Sequence, residues 1–149
     1  WGTNYIYGTW SVLTALEALK QNMNQPWIQR AVTWLRGMQL ADGGWGEDNG
    51  SYWRPARGRT DVATSFQTAW AMLGLMAAGE TDSPGLARGA AWLIDRQGAD
   101  GVWHDPQHTA PGFPRVFYLK YHGYRRYFPL WALGRYRRLT QPRGGLTGT

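Results

Sequence analysis

RAVTWLRGMQLADGGW, residues 30–45, recurs 58 residues later in the chain as RGAAWLIDRQGADGVW, residues 88–103. Both copies hold an initial Arg, a Trp-Leu pair, a Gln and a final Gly-x-Trp at the same spacing. A fixed internal period is typical of repeat architectures, in which one supersecondary unit stacks on the next. The pattern therefore predicts two copies of one structural unit.

A second series of similar segments lies between and around these copies. It comprises TWSVLTALEAL around Trp10, TAWAMLGLMAAG around Trp70 and PLWALGRY around Trp131, whose Trp residues are 60 and 61 positions apart. The spacing of Val12 and Leu16 is typical of one face of a helix. Together with Leu13 and Leu19, these residues predict an apolar stripe on the first helix. The two series therefore alternate as an α/α repeat of about 60 residues.

The two kinds of helix are predicted to occupy different layers. Segments of the second series are apolar nearly all round, as expected of a helix buried on both sides, whereas the RAVTW-type copies mix Arg, Gln and Asp with Trp and Leu. Pro26 and Pro84 suit the first turn of the outer helices. We therefore predict three inner and two outer helices, in either an open solenoid or a closed α/α toroid. The last segment, QPRGGLTGT at 141–149, is predicted to be a flexible tail.

Composition excludes several classes of protein. The chain has no Cys, which excludes a disulfide framework, a thiolate zinc site and a Cys nucleophile. It opens on Trp1 without a signal-peptide pattern, so we expect it to be part of a longer protein. The ten Trp and eight Tyr exceed what a core of this size needs. The net charge is +6 and no acidic residue follows Asp105, so the far end is a basic surface, suited to solvation, an anionic bilayer or nucleic acid.

The repeated motif has a structural explanation that requires no chemistry. A Gln amide at a helix end can bond backbone groups and lie against the indole six residues further on. We expect this structural role for Gln39, Trp45, Gln97 and Trp103, because two copies of a catalytic apparatus in one small domain would be unusual.

The motif also resembles the QW motif of the squalene–hopene and oxidosqualene cyclase family. WGTNYIYGTWSVL, DGGWGED, QTAWAMLGLMAAGE and PGFPRVFYLKYHGYRRYFPLWALGRY are similar to the carboxy-terminal segment of the bacterial squalene–hopene branch, from Trp1 to about Leu139. The resemblance implies an all-α fold. This would be an incomplete (α/α)6 barrel segment of an α/α toroid with QW-type repeats, in which residues 1–140 form the carboxy-terminal part of the terpene cyclase domain.

The resemblance also implies a function. Members of the family fold squalene in one cavity, protonate it and close rings through successive carbocations to give hopanoid triterpenes, without cofactor or metal. Aromatic faces suit such a cavity because they attract cationic charge and offer no base. The intact protein is expected to lie on the cytoplasmic membrane as a peripheral or monotopic protein. Squalene and the membrane surface would be its partners, with no nucleic acid, and a homodimer is possible.

Site residues follow from the resemblance, position by position. The catalytic group that it implies is Phe113, Phe117, Tyr121 and Tyr124, and the substrate-binding group is Trp1 and Tyr7. Phe113 and Phe117 match phenylalanines that line the middle and later part of the cavity, and the tyrosines match residues near its early-ring end. The competing interpretation is that all six are ordinary core residues.

The acid that starts the reaction is missing from the sequence. The family uses an Asp-rich DxDD motif, whereas the only adjacent acids here are Glu47 and Asp48, in a Gly-rich loop where we expect them to be solvated or to cap a helix. The isolated chain is therefore predicted not to turn over squalene.

Three other functions are compatible with parts of the sequence. An aromatic-lined α/α toroid that binds or processes glycans is the main alternative, although the sequence offers no convincing pair of carboxyl groups for it. A basic α-solenoid that binds nucleic acid comes next. His104 and His108 have helical ligand spacing, but Pro106 between them indicates a loop, which disfavours a metal site.

Overall fold

The structure is a computed structural model that describes residues 4–52, 60–109, 111–113 and 117–141. It contains five α-helices, which confirms the predicted all-α class: α1 (Tyr5–Ala18), α2 (Pro26–Gly37), α3 (Ser65–Ala77), α4 (Pro84–Asp95) and α5 (Tyr124–Thr140). A short 3-10 helix follows α2 at Asn49–Tyr52.

Two short strands between α4 and α5 were not predicted. Strands β1 (Pro111–Phe113) and β2 (Phe117–Tyr118) pair antiparallel, with Pro111 opposite Tyr118 and Phe113 opposite Phe117. Strands of three and two residues are too short to show the alternating hydrophobic pattern by which a strand is recognised.

The helices form an inner and an outer layer. The inner helices α1 and α5 pack on either side of α3, while α2 contacts α1 and α3, and α4 contacts α3 and α5. Every residue of α3 is buried, as expected for a helix with neighbours on both sides. The predicted arrangement of three inner and two outer helices is therefore confirmed.

Close approach of α1 to α3 depends on Gly74. A Cβ there would lie 3.3 Å from the Cα of Trp10 and 3.2 Å from a methyl group of Leu35, so a larger residue would push the helices apart. Trp10 lies beside Gly74, and Tyr7 lies one turn earlier beside Trp70. These two contacts show that α1 and α3 run in the same direction.

The outer helices begin as predicted. Pro26 and Pro84 stand in the first turns of α2 and α4, where the missing N–H of proline costs no hydrogen bond. Ser83 caps α4, because its side chain accepts a hydrogen bond from the backbone N–H of Leu86.

Within the described residues, no helix is long and apolar enough to cross a membrane. Helix α5 ends at Thr140, and the proposed tail, apart from Gln141, lies outside the described residues. The domain boundary at residue 140 stays a prediction.

Candidate functional site: an aromatic cluster on the inner helices

Aromatic rings from all three inner helices meet around Trp70, whose side chain is fully buried. We define the aromatic cluster as this group: Tyr7 and Trp10 of α1, Phe66 and Trp70 of α3, Tyr121 before α5, and Tyr124, Phe128 and Trp131 of α5. The ring of Trp70 lies 5.1–5.6 Å, centroid to centroid, from five of the others. These distances are typical of favourable ring pairs in protein cores.

The repeat explains why these rings meet. Trp10 and Trp70 hold equivalent places in successive inner helices, and their indoles stack with an interplanar angle of 11° at 5.6 Å. Trp131, the third of the series, packs edge-on against Trp10 at 6.3 Å but keeps 47% of its surface exposed. The backbone of Trp10 lies beside Gly74, one turn beyond Trp70, yet the two indoles stack, so the repeat brings equivalent rings into contact.

Three of the six predicted site residues lie in this cluster. Tyr7 and Tyr124 are half-buried and contact Trp70 from α1 and α5, at 5.1 Å and 5.5 Å. Tyr121 stacks on Tyr124 at 4.9 Å and is 44% exposed. All three tyrosines are partly exposed, whereas Trp70 is fully buried.

The other three predicted residues are not brought into the cluster by any contact that can be described. Phe113 and Phe117 face each other as Cα partners in the β1–β2 pair, and the Phe117 side chain is 45% exposed. Trp1 and the side chain of Phe113 lie outside the described residues. The roles of all six residues stay predictions.

The phenol of Tyr124 is held neutral. Burial, and to a smaller extent the neighbouring Tyr7, Tyr127 and Tyr121, whose phenolates would repel its own, together raise its pKa to about 12. A tyrosine in this state presents a neutral ring and does not act as a base at ordinary pH.

Sequence reasoning missed Glu47 as part of this region. Its side chain is only 1% exposed, and Oε2 accepts a hydrogen bond of 2.7 Å from the backbone N–H of Ile6, in the first turn of α1. Burial, opposed by bonds to the N–H groups of Ile6 and Tyr5, raises the pKa of this carboxyl to about 7. The expectation that it caps a helix is confirmed, and the expectation that it is solvated is wrong, because the loop folds back over α1.

Asp105 occupies the equivalent place in the second repeat. Oδ1 accepts from the backbone N–H of Ser65 at 2.8 Å, and Oδ2 accepts from the Ser65 hydroxyl at 2.5 Å. Burial raises the pKa of Asp105, while its bonds to Ser65 and the charges of Arg125 and Lys120 act in the opposite direction. The sequence shows that the two positions are equivalent, since both acids stand two residues after the Trp of the repeated motif, but it does not show that they are buried.

The side chains of the repeated motif make mainly backbone hydrogen bonds. In the first copy, Gln39 Nε2 donates to the carbonyls of Gly43 and Gly85, at 2.8 Å and 2.9 Å, and Trp45 Nε1 donates to Leu35 O at 2.8 Å. Arg88 also donates to the Gln39 side chain. These bonds tie the outer helix α2 both to its own loop and to the start of α4.

The second copy repeats only the local part of this pattern. Gln97 Nε2 donates to Gly101 O at 3.0 Å, and Trp103 Nε1 donates to Leu93 O at 2.8 Å. No hydrogen bond from Gln97 to another outer helix occurs within the described part of the chain, which holds no outer helix after α4.

One member of the His pair lies beside an acidic residue. His104 Nε2 lies 3.0 Å from Asp100 Oδ2, and both side chains are exposed. Across the described ranges, no group of three or more His, Cys, Asp or Glu side chains could hold a metal ion.

Comparison with known proteins identifies the family of the chain. Residues 1–138 match the family model of the squalene-hopene cyclase C-terminal domain. The chain belongs to the squalene–hopene cyclase family. Three similar relatives support this: a probable squalene–hopene cyclase of Sinorhizobium fredii, 56% identical over 140 residues, and squalene–hopene cyclases of Bradyrhizobium diazoefficiens and Zymomonas mobilis, 52% identical over 149 residues and 51% identical over 140.

The match to the squalene–hopene cyclase family covers almost all of this chain and a small part of each relative. The alignments include 93%, 99% and 93% of the chain, but only 22%, 23% and 21% of the three relatives. The chain therefore spans about a fifth of the length of the relatives it matches. Glycan binding or processing, the main alternative interpretation, receives no support from these matches.

Proposed function

We propose that this chain is the carboxy-terminal part of an enzyme that cyclises squalene to hopanoid triterpenes by a proton-initiated carbocation cascade. The observation that carries the proposal is the aromatic cluster. In it the partly exposed Tyr7 and Tyr124 contact the buried Trp70, and Tyr121 stacks on Tyr124. The names of the relatives supply the substrate and product class.

The cluster has the chemistry that such a cascade needs. A ring face attracts a carbocation by about 0.5 to 2 kcal/mol, with the larger value in a dry site. Several rings are therefore required, and the three inner helices supply them. Because burial keeps the Tyr124 phenol neutral, this ring can face a cation without removing its proton and ending the cascade early.

Phe113 and Phe117 extend this proposal to the β1–β2 pair. Residues that are opposite each other across an antiparallel pair have neighbouring Cα atoms, so the two positions are well placed to act on one region of the substrate. We assign them to the middle and later part of the cavity and Trp1 to substrate binding, following the family resemblance.

The proton must come from outside this chain. No DxDD cluster occurs in the sequence. We propose that the initiating acid belongs to the portion of the relatives that this chain does not match, and that the isolated chain is inactive.

The lipid solubility of the substrate and the surface of α5 suggest a location and a mode of assembly. Because squalene dissolves in lipid, we propose a peripheral or monotopic enzyme on the cytoplasmic membrane. Helix α5 exposes Arg126, Arg137 and Arg138 together with the apolar side chains of Tyr127 and Trp131, a combination that suits an anionic interface. The same apolar surface would serve a homodimer.

The test transplants this chain into the Bradyrhizobium diazoefficiens enzyme in place of the segment it matches. We expect the chimera to convert squalene into hopanoid products, measured by gas chromatography. The host without the segment and the 149-residue chain alone are expected to give none.

A second chimera, in the Zymomonas mobilis enzyme, guards against an incompatible junction. If both chimeras unfold cooperatively on heating but form no cyclic product, the proposed activity is wrong. Hopanoid formed by the isolated chain would instead show that the initiating acid lies within these residues.

A further inference from the structure

The two repeats use a carboxylate in the same way. Glu47 and Asp105 are 58 residues apart, the period of the repeated motif. Each accepts a hydrogen bond from a backbone N–H in the first turn of the inner helix of its own repeat, Ile6 for Glu47 and Ser65 for Asp105. These partners are 41 and 40 residues away along the chain, so each loop returns across the fold to reach its helix.

The residue after each bonded N–H carries a ring of the aromatic cluster. Tyr7 follows Ile6, and Phe66 follows Ser65. Both rings meet Trp70 edge-on, with centroids at 5.1 Å and 5.2 Å. The two carboxylates therefore hold the turns from which two rings approach the same indole.

We propose that Glu47 and Asp105 are positioning residues for the cyclisation cavity: each carboxylate fixes the first turn of an inner helix and thereby the ring that the turn presents beside Trp70. This inference rests on the proposed function as far as catalysis is concerned. Its structural part concerns the geometry of the rings and can be tested without any substrate.

The loop that carries Glu47 is itself clamped to the neighbouring inner helix. Gln67, in the first turn of α3, accepts from the backbone N–H of Glu47 at 2.9 Å and donates to its carbonyl at 3.0 Å. Thr64 in turn donates its hydroxyl to the Gln67 side chain at 2.9 Å. Glu47 therefore relates the start of α1 to the start of α3, which is the geometry that sets Tyr7 against Trp70.

The helices differ in their side-chain caps. This difference predicts which of the two carboxylates has the larger effect on the aromatic cluster. Asn4, the residue before α1, donates its side-chain amide to the carbonyl of Asp48, and among the described residues it is Glu47 that supplies a side-chain acceptor to the first turn of α1. Helix α3 has Thr64 as a local cap in addition to Asp105. The outer helix α4 is capped locally by Ser83. We therefore expect the loss of Glu47 to disturb the cluster more than the loss of Asp105.

The experiment compares Glu47→Ala, Glu47→Gln and Asp105→Ala with the matched control Ser83→Ala, which removes a helix cap far from the rings in sequence. The first measurement is circular dichroism of the 149-residue protein, because the stacked Trp10 and Trp70 indoles should give an exciton signal that depends on their geometry. We expect the signal to weaken in Glu47→Ala and less in Asp105→Ala. It should persist in Glu47→Gln, whose amide oxygen can still accept from Ile6, and in Ser83→Ala.

The second measurement places the same substitutions in the chimera described above. Glu47→Ala should raise the ratio of incompletely cyclised to complete products by about 2- to 5-fold, the effect expected when one ring loses its place beside a cation. Ser83→Ala should leave this ratio unchanged.

Each failure has a separate meaning. If the unsubstituted chimera is inactive, the proposed function fails, and the exciton signal alone decides whether the carboxylates position the rings. If Glu47→Ala and Ser83→Ala give the same exciton signal and the same product ratio, the positioning role is overturned. Should Glu47→Ala not fold, Asp105→Ala carries the test, because Thr64 still caps α3 in that variant.

Discussion

The two repeats of this chain share a sequence pattern but differ in what their side chains reach. In both, the motif Trp donates to the carbonyl ten residues earlier, and the Gln donates to the carbonyl four residues later. Only Gln39 of the first repeat also reaches Gly85 in the next outer helix. The bonds within a repeat thus follow from the local sequence, whereas the bonds between repeats depend on which helix lies alongside.

The acidic residues of the two repeats also differ in their hydrogen bonds. Both oxygens of Asp105 accept hydrogen bonds from Ser65. Glu47 bonds Ile6 through Oε2, whereas its buried Oε1 has no hydrogen-bond partner among the residues that the structure describes. An unbonded carboxylate oxygen in a buried position destabilises the charged form, so the equivalent positions should respond differently to pH.

The largest expected effect tests the part that the repeats share. Trp45→Ala and Trp103→Ala should each lower the free energy of unfolding by about 3 to 5 kcal/mol, because both indoles are buried and bonded in the same way. Urea unfolding of the two variants would measure this. A cost for Trp103→Ala near zero would show that the second repeat is not packed as a copy of the first.

A smaller effect tests the difference between the acids. The folded pKa of Glu47 is about 7 and its ordinary value is 4.5. A raised pKa means that the folded state binds the proton more tightly, so the contribution of Glu47 to stability is present below about pH 4.5 and is lost as the pH rises through 7. Glu47→Gln removes this dependence and should be more stable than the unsubstituted protein at pH 8, by at most on the order of 3 kcal/mol.

Thermal unfolding of both proteins between pH 4 and pH 8 provides the measurement. The control is Asp105→Asn: its difference in stability from the unsubstituted protein should begin at a lower pH, because the ordinary pKa of Asp105 is 3.8. Parallel stability curves for Glu47→Gln and the unsubstituted protein would show that burial does not perturb Glu47.

The helical layers could be predicted because the repeat period indicates which helices are equivalent and the apolar pattern indicates which are buried on both sides. The period aligned Trp10 with Trp70, and the structure stacks the two indoles. The detailed stripe on α1 was partly wrong, since Val12 and Leu19 are 53% and 70% exposed. The buried face of α1 uses Ile6, Trp10 and Leu13 instead. Periodicity identifies a helix, but the side that is buried depends on which neighbours are present.

The site was harder to predict than the layers. The positions of Tyr7 and Tyr124 came from family resemblance, and their meeting at Trp70 needed the packing of three helices. Burial of Glu47 could not be predicted from a Gly-rich loop, because its partner Ile6 is 41 residues away. Contacts across such a distance leave no local pattern.

The smallest expected effect separates the local bonds of the motif from those between repeats. Gln39→Ala removes bonds to Gly43, Gly85 and Arg88 and should cost about 1 to 3 kcal/mol. Gln97→Ala removes the exposed hydrogen bond to Gly101 and should lower the free energy of unfolding by less than about 1 kcal/mol. Denaturant midpoints of the two variants give the difference, and equal costs would mean that the bond from Gln39 to α4 contributes nothing.

In the chimera, where further helices of the host are present, an outer helix placed beside Gln97 would raise the cost of Gln97→Ala towards that of Gln39→Ala. An unchanged cost there would mean that the second repeat has no such neighbour even in the longer protein.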